Sequence, residues 1–287
     1  MDDMSRAEVK SADEKTPFEI CNPQGSAAFL ILCDHAANAL PAGYGSLGLA
    51  PSEFERHIAY DIGAAGVARG LADHLGCQAV LARYSRLLID LNRGEDDPTL
   101  IMKLSDGAII EANRLVDPQH DAGEFERRLR DFYQPYHGAI TGMIDKAQAA
   151  GENPVLISMH SFTPHWRGVA RPWQVGILWD RDDRVATPLM AALAREGMSV
   201  GDNEPYQGAL MGDSMFRHGT VRGLPHVLIE IRQDLLSDEA GIAEWVARLG
   251  MILSEIATRP GMRQTRFFGS QVDASLPISA PQDKGSA

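Results

Sequence analysis

The sequence predicts an α/β fold: a single domain with a mostly parallel or mixed central sheet and helices packed on both of its faces. Three observations carry that prediction. Short apolar runs alternate along the chain with helix-length amphipathic stretches, which is the order of βαβ architecture. The short runs are apolar throughout rather than at every second residue, as expected of strands covered on both sides. No Pro-, Ser- or Gly-rich linker divides residues 17–270, so one domain accounts for them.

Taken in order, the run 27–33 (AAFLILC) reads as a buried strand. Residues 52–76 open with Ser52-x-x-Glu55, a capping-box pattern, and end at Gly76, which predicts one continuous helix. The runs 77–82 (CQAVLA) and 86–91 (RLLIDL) are read with the strands, and 121–149 as a long helix. Strands over 154–159 (PVLISM) and 173–179 (WQVGILW) precede a helix near 183–197; the strand 226–232 (HVLIEIR) leads into a last helix over 237–257. Residues 1–16 and 271–287 lack periodicity and read as loose tails.

Composition narrows the function classes. The chain has 287 residues, and 27 Lys+Arg against 39 Asp+Glu leave a net charge of −12, a poor match for nucleic acid or an anionic membrane surface. No apolar stretch approaches the roughly 20 residues that span a bilayer, and the polar N-terminus is no signal peptide. The three cysteines (Cys21, Cys33 and Cys77) form no CxxC and read as reduced thiols, so the expected location is the cytoplasm. Oligomeric state stays open.

In such a sheet, ligands gather beyond the carboxyl ends of the strands. At those ends stand Asp34-His35, Asn92-Arg93 and His160-Ser161, while the strand 226–232 carries Glu230. Two histidines from different strand ends with carboxylates nearby are the parts of a divalent-metal site, and neutral imidazole suits zinc. Glu230, on a separate strand, fits a general base, and Arg86 and Arg93 fit forked donors for a carboxylate or an oxyanion. His218, in a Gly-rich stretch, is assigned to substrate contact, with a loop anchor as its alternative. His57, His74, His120, His137 and His226 read as structural, and His165 as a possible pocket residue. The helical HExxH zinc motif is absent.

The strings LILCDHAANALP, HIAYDIGAAGVARGLA, YSRLLIDLNR, ISMHSF and LIEIRQDLL, in this order over most of 25–257, resemble the N-formylglutamate amidohydrolase family. The resemblance implies the fold and chemistry of zinc carboxypeptidases and aspartoacylases, the phosphorylase/hydrolase-like fold. It implies one divalent ion held by His35 and His160, Glu230 as base, Arg86 polarising the scissile carbonyl, and Asn92 with Arg93 clamping the substrate's α-carboxylate. The chain departs from the His-x-x-Glu pattern of the carboxypeptidases, reading His35-Ala-Ala-Asn38. The third ligand is then Asn38 or a replacing carboxylate, for which Asp61 is the candidate; Asp34 would orient His35. A side-chain carboxylate on the substrate needs a further cation, and Arg167, Arg171 and Arg217 all lie in suitable loops. The implied activity is hydrolysis of N-formyl-L-glutamate or a similar N-acyl acidic amino acid. A hydrolase for other N-acyl amino acids or a carboxypeptidase-like peptidase is the nearer alternative. A non-catalytic protein that binds an acidic metabolite is the other.

Overall fold

Apolar β-branched and leucine-rich runs that cannot be left wet on either side build the centre of the molecule. The computed structural model describes residues 16–279. In chain order the elements are β1 (Phe18–Cys21), β2 (Ser26–Cys33), α1 (Ala64–Leu75), β3 (Cys77–Ala82), and a small hairpin of β4 (Leu104–Ser105) and β5 (Ala108–Ile109). Then follow α2 (Ala122–Arg128), α3 (Gln134–Ala149), β6 (Val155–Phe162), a second hairpin of β7 (His165–Trp166) and β8 (Val169–Ala170), and β9 (Val175–Leu178). The chain finishes with α4 (Ala186–Arg195), β10 (Val200–Asp202), β11 (His226–Arg232) and α5 (Glu239–Ala257).

Seven strands form one mixed sheet in the order β1-β3-β2-β6-β11-β9-β10. Its four central strands, β3, β2, β6 and β11, run parallel, while β1 and β9 pair antiparallel to β3 and β11. Alternate residues of these strands feed two cores. Ile31, Ile157, Met159 and Ile229 pack under α1, α4 and α5 on one face. Leu32, Leu156 and Leu228 pack with Tyr136, Ile140 and Ile144 of α3 on the other. The predicted helix over 121–149 is present, with a wider π turn at Leu129–Tyr133 joining α2 to α3. Among the described residues no helix is long and apolar enough to cross a membrane.

Three expectations need correction. The helix predicted over 52–76 exists only as α1; Pro51–Glu55 is a single 3-10 turn, and Ser52 caps nothing. The break lies at Gly63, whose φ of 81° starts the helix afresh, and a Cβ there would meet Leu236 at 2.4 Å. The run 86–91 is not a strand but a buried turn, closed by Leu88 N–H donating to Ser85 O and Leu87 N–H to Ser85 Oγ. Residues 271–279 are not loose: Gln271 N–H donates to Asp180 Oδ1 (3.0 Å), and Ser279 N–H donates to Phe267 O (2.7 Å). Residues 1–15 and 280–287 lie outside the described residues.

Candidate active site

The sheet delivers its polar residues to one edge. β2, β6 and β11 run in parallel, so Asp34-His35, His160 and Glu230 emerge at neighbouring carboxyl ends, and Glu230 lies opposite His160 in register. Ser158, His160 and Glu230 have the parity of the α3 face, the same face to which Asp34 turns after Cys33. The stretch before α1 folds back across this edge. Asp61 N–H donates to His35 O (2.9 Å), which seats the Asp61 carboxylate between the two histidines.

Asp61 Oδ2 lies 2.7 Å from His160 Nδ1 and 3.4 Å from His35 Nδ1. The opposite ring nitrogens are held by other carboxylates: His35 Nε2 is 2.7 Å from Asp90 Oδ1, and His160 Nε2 is 3.2 Å from Asp34 Oδ2. A ring that donates Nε2–H to a carboxylate presents a lone pair at Nδ1. Both lone pairs then converge on Asp61 Oδ2, an arrangement that demands a proton or a cation between them. The donor atoms of His35, Asp61 and His160 lie within 4.8 Å of one another, and all three residues are buried. This donor set suits a transition-metal ion such as zinc. Without such an ion the proton is the substitute: burial opposes charge on His160, but Asp34 and Asp61 hold its pKa up at about 10. Asp34, Asp61 and Asp90 are all held below the usual carboxylate range despite burial, by His160 for Asp34, by the two histidines for Asp61, and chiefly by Arg86 for Asp90.

Asn38 is not part of this group. Its Nδ2 donates to Phe54 O (2.8 Å), so among the two candidates for the third ligand it is Asp61 that stands with the histidines. Asp34 orients His160 rather than His35; Asp90 takes the latter role. The chain pattern hid Asp90 because it sits inside an apolar run. The signal available was a lone carboxylate four residues beyond Arg86, and Arg86 does bind it, through Nε (3.1 Å) and a second guanidinium nitrogen (2.6 Å). Arg86 also lies 3.5 Å from Asp61 Oδ1.

His35, Asp61, Arg86 and His160 line a cavity of about 440 Å³ that also takes in Asn92, Arg93, His57, Tyr206, Asp213 and Glu230. Glu230 is buried, its Oε2 has no hydrogen-bond partner among the described residues, and burial pushes its pKa up to about 7. An orphaned carboxylate oxygen facing a cavity is an acceptor waiting for a ligand. Asn92 is fixed from behind: its N–H donates to Asp90 Oδ1 (2.9 Å) and its Oδ1 accepts from Ser214 N–H (3.1 Å), which leaves Nδ2 for the cavity. Arg93 donates to Asn92 O (2.8 Å) and Thr99 Oγ1 (3.2 Å). Asp213, a residue the sequence did not single out, contributes a second carboxyl raised by burial to about 7.

His218 falls elsewhere, which corrects its assignment to substrate contact. It is buried in a second cavity of about 360 Å³, with its Nε2 2.9 Å from His137 Nδ1. It belongs to a π turn, Phe216–Thr220. Arg217 lines that second cavity too, Arg167 stands at the exposed tip of the β7–β8 hairpin, and Arg171 stands at the hairpin's foot.

Comparison with known proteins agrees with this architecture. The chain is 31% identical over 100 residues to the N-formylglutamate deformylase of Pseudomonas putida, an alignment that takes in 33% of this chain and 38% of that one. A solved gene product of Agrobacterium tumefaciens superposes with a TM-score of 0.79 at 32% identity, covering 84% of this chain and 94% of that chain. The fold is also that of the N-formylglutamate amidohydrolase from Ralstonia eutropha, with a TM-score of 0.65 at 23% identity over 84% and 97% of the two chains. Residues 27–237 match the profile of N-formylglutamate amidohydrolase, a span that contains every residue of the site, and the chain belongs to that family.

Proposed function

We propose that the chain is a metal-dependent amidohydrolase that removes the formyl group from N-formyl-L-glutamate, or a similar acyl group from an N-acyl acidic amino acid. The observation that supports it best is the orphaned Glu230 Oε2 beside the buried group of His35, Asp61 and His160. His35, Asp61 and His160 would hold one divalent ion, zinc by the chemistry of its donors. Such an ion would supply Lewis acidity toward the scissile carbonyl and the attacking water.

The chain's own residues do the rest. Glu230 takes a proton from the water as the amide carbon is attacked and returns it to the nitrogen as the C–N bond breaks, which yields formate and the free amino acid. Its Oε2, without a hydrogen-bond partner among the described residues, is free to accept that proton. Arg86 is anchored by Asp90 and Asp61 at the cavity wall, and as a fixed cation it stabilises charge that develops on the carbonyl oxygen. Asn92 Nδ2 and Arg93 hold the α-carboxylate, so the reacting carbon is presented in one pose.

The test is formate release from N-formyl-L-glutamate by wild type and Glu230→Gln. The variant keeps its metal and loses turnover by roughly 10²- to 10⁴-fold. Full activity in Glu230→Gln would remove Glu230 as the base.

A further inference from the structure

We propose that Arg171 is the second anion anchor of this cavity, the residue that reads a carboxylate on the substrate's side chain and favours acidic side chains over neutral isosteres. The inference rests on the amidohydrolase reading and deepens it.

A substrate with two carboxylates needs two cations, because a charge taken out of water without a partner is costly. Among the described residues the cavity wall offers two arginines, Arg86 and Arg93. Arg86 is already committed to Asp90 and Asp61, and Arg93 is assigned to the α-carboxylate. His57, also on the wall, has Asp106 at 3.7 Å, and burial lowers its pKa, so it is largely neutral near pH 7. The wall also carries Asp106, whose carboxylate would repel a second anion left unpaired.

Arg171 stands immediately behind the wall. Its backbone N–H donates to Pro164 O (2.8 Å) and closes the foot of the β7–β8 hairpin, so its Cα belongs to the fixed end of that hairpin. Its guanidinium carbon lies 5.5, 5.5 and 5.2 Å from the ring centres of Phe162, Trp166 and Tyr206, and all three rings line the cavity. One terminal nitrogen donates to Thr163 O (3.3 Å), Thr163 Oγ1 (3.2 Å) and Tyr206 Oη (3.3 Å), long bonds to neutral acceptors. Among the described residues no carboxylate lies within ion-pair distance of Arg171, and its side chain donates through one terminal nitrogen alone, leaving Nε and the other terminal nitrogen without a partner there. Aromatic faces hold a guanidinium in place without cancelling its charge, and the free edge is the one that grips a carboxylate in two parallel bonds. The other two arginines suit this role less well. Arg217 is engaged by Glu95 and Tyr133 at the second cavity. Arg167 sits at the hairpin tip, 5.7 Å over Trp166, in an exposed position.

The experiment compares kcat/KM for N-formyl-L-glutamate and its neutral isostere N-formyl-L-glutamine, with zinc supplied, in wild type, Arg171→Met and Arg171→Lys. Wild type favours the glutamate derivative by roughly 10- to 100-fold. Arg171→Met abolishes that preference, mainly through KM for N-formyl-L-glutamate, and handles N-formyl-L-glutamine within about threefold of wild type; Arg171→Lys restores part of the preference. The unchanged amide substrate reports that the variant is folded. A preference that survives in Arg171→Met, an equal loss on both substrates, or no preference in wild type overturns the anchor and leaves the amidohydrolase standing. Hydrolysis of neither compound by wild type removes the amidohydrolase reading and the anchor together.

Discussion

Two pairs of buried histidines have opposite electrostatics. His35 and His160 meet edge to face, with ring centres 4.8 Å apart. His137 and His218 stack at 5.2 Å. The first pair has a carboxylate on each outer nitrogen and a third between the rings, and His160 is pushed up to about 10 in the absence of an ion. Among the described residues the second pair has no carboxylate partner: His137 Nε2 donates to Leu91 O (3.0 Å), and His137 Nδ1 lies 2.9 Å from His218 Nε2. Burial, with Arg217 nearby, pushes His137 down to about 4, and burial lowers His218 as well. Burial alone therefore does not make a ligand. What separates the pairs is the Asp61 carboxylate, which stands between His35 and His160 and completes a donor set for a cation; His137 and His218 face each other directly with no anion between them.

The largest effect expected from this contrast lies in acid stability. The His137 ring has an ordinary pKa near 6.5 when unfolded and about 4 when folded. Between those values the unfolded chain takes up a proton that the folded chain refuses, so this ring's contribution to stability falls as pH falls from about 6.5 to 4. Glu230 and Asp213, raised by burial to about 7, act with the opposite sign in that window, so the test is a difference between proteins. In denaturant unfolding, wild type should lose more stability, or gain less, than His137→Gln on going from pH 6.5 to 4.5, by on the order of 2–3 kcal/mol. Parallel pH profiles would show that His137 is not held neutral by its surroundings.

The smaller effect sharpens the other side of the comparison. Asp90→Asn keeps a hydrogen-bonding group on His35 and removes the negative charge behind it. Metal affinity measured by competition with a chelator should fall roughly 10- to 100-fold. An unchanged affinity would mean that Asp90 serves Arg86 and the backbone of Asn92 alone.

Much of this was legible in the sequence. The central strands were marked by apolar runs, and His35, His160 and Glu230 by polar residues that terminate or interrupt them. Asp61 was reachable only through the family's pattern and the substitution at Asn38, because it lies in a stretch whose spacing reads as helix. That stretch fails to be helical where Gly63 turns the chain against Leu236, a contact between segments far apart in sequence. Asp90 and His35 are 55 residues apart, and no local pattern records their bond. The mistaken placing of His218 has the same origin: a glycine-rich neighbourhood signals an irregular backbone, and the ring's surroundings are set by α3, some 80 residues earlier. Periodicity reports that a residue is buried. It does not report what stands behind it.

The most direct test of the account is the metal content of purified wild type, His160→Ala and His137→Ala, measured side by side by elemental analysis. About one divalent ion per chain in wild type and in His137→Ala, with none in His160→Ala, is the result predicted from the two histidine environments. Metal retained by His160→Ala, or no metal bound by wild type even after titration with zinc, would contradict it.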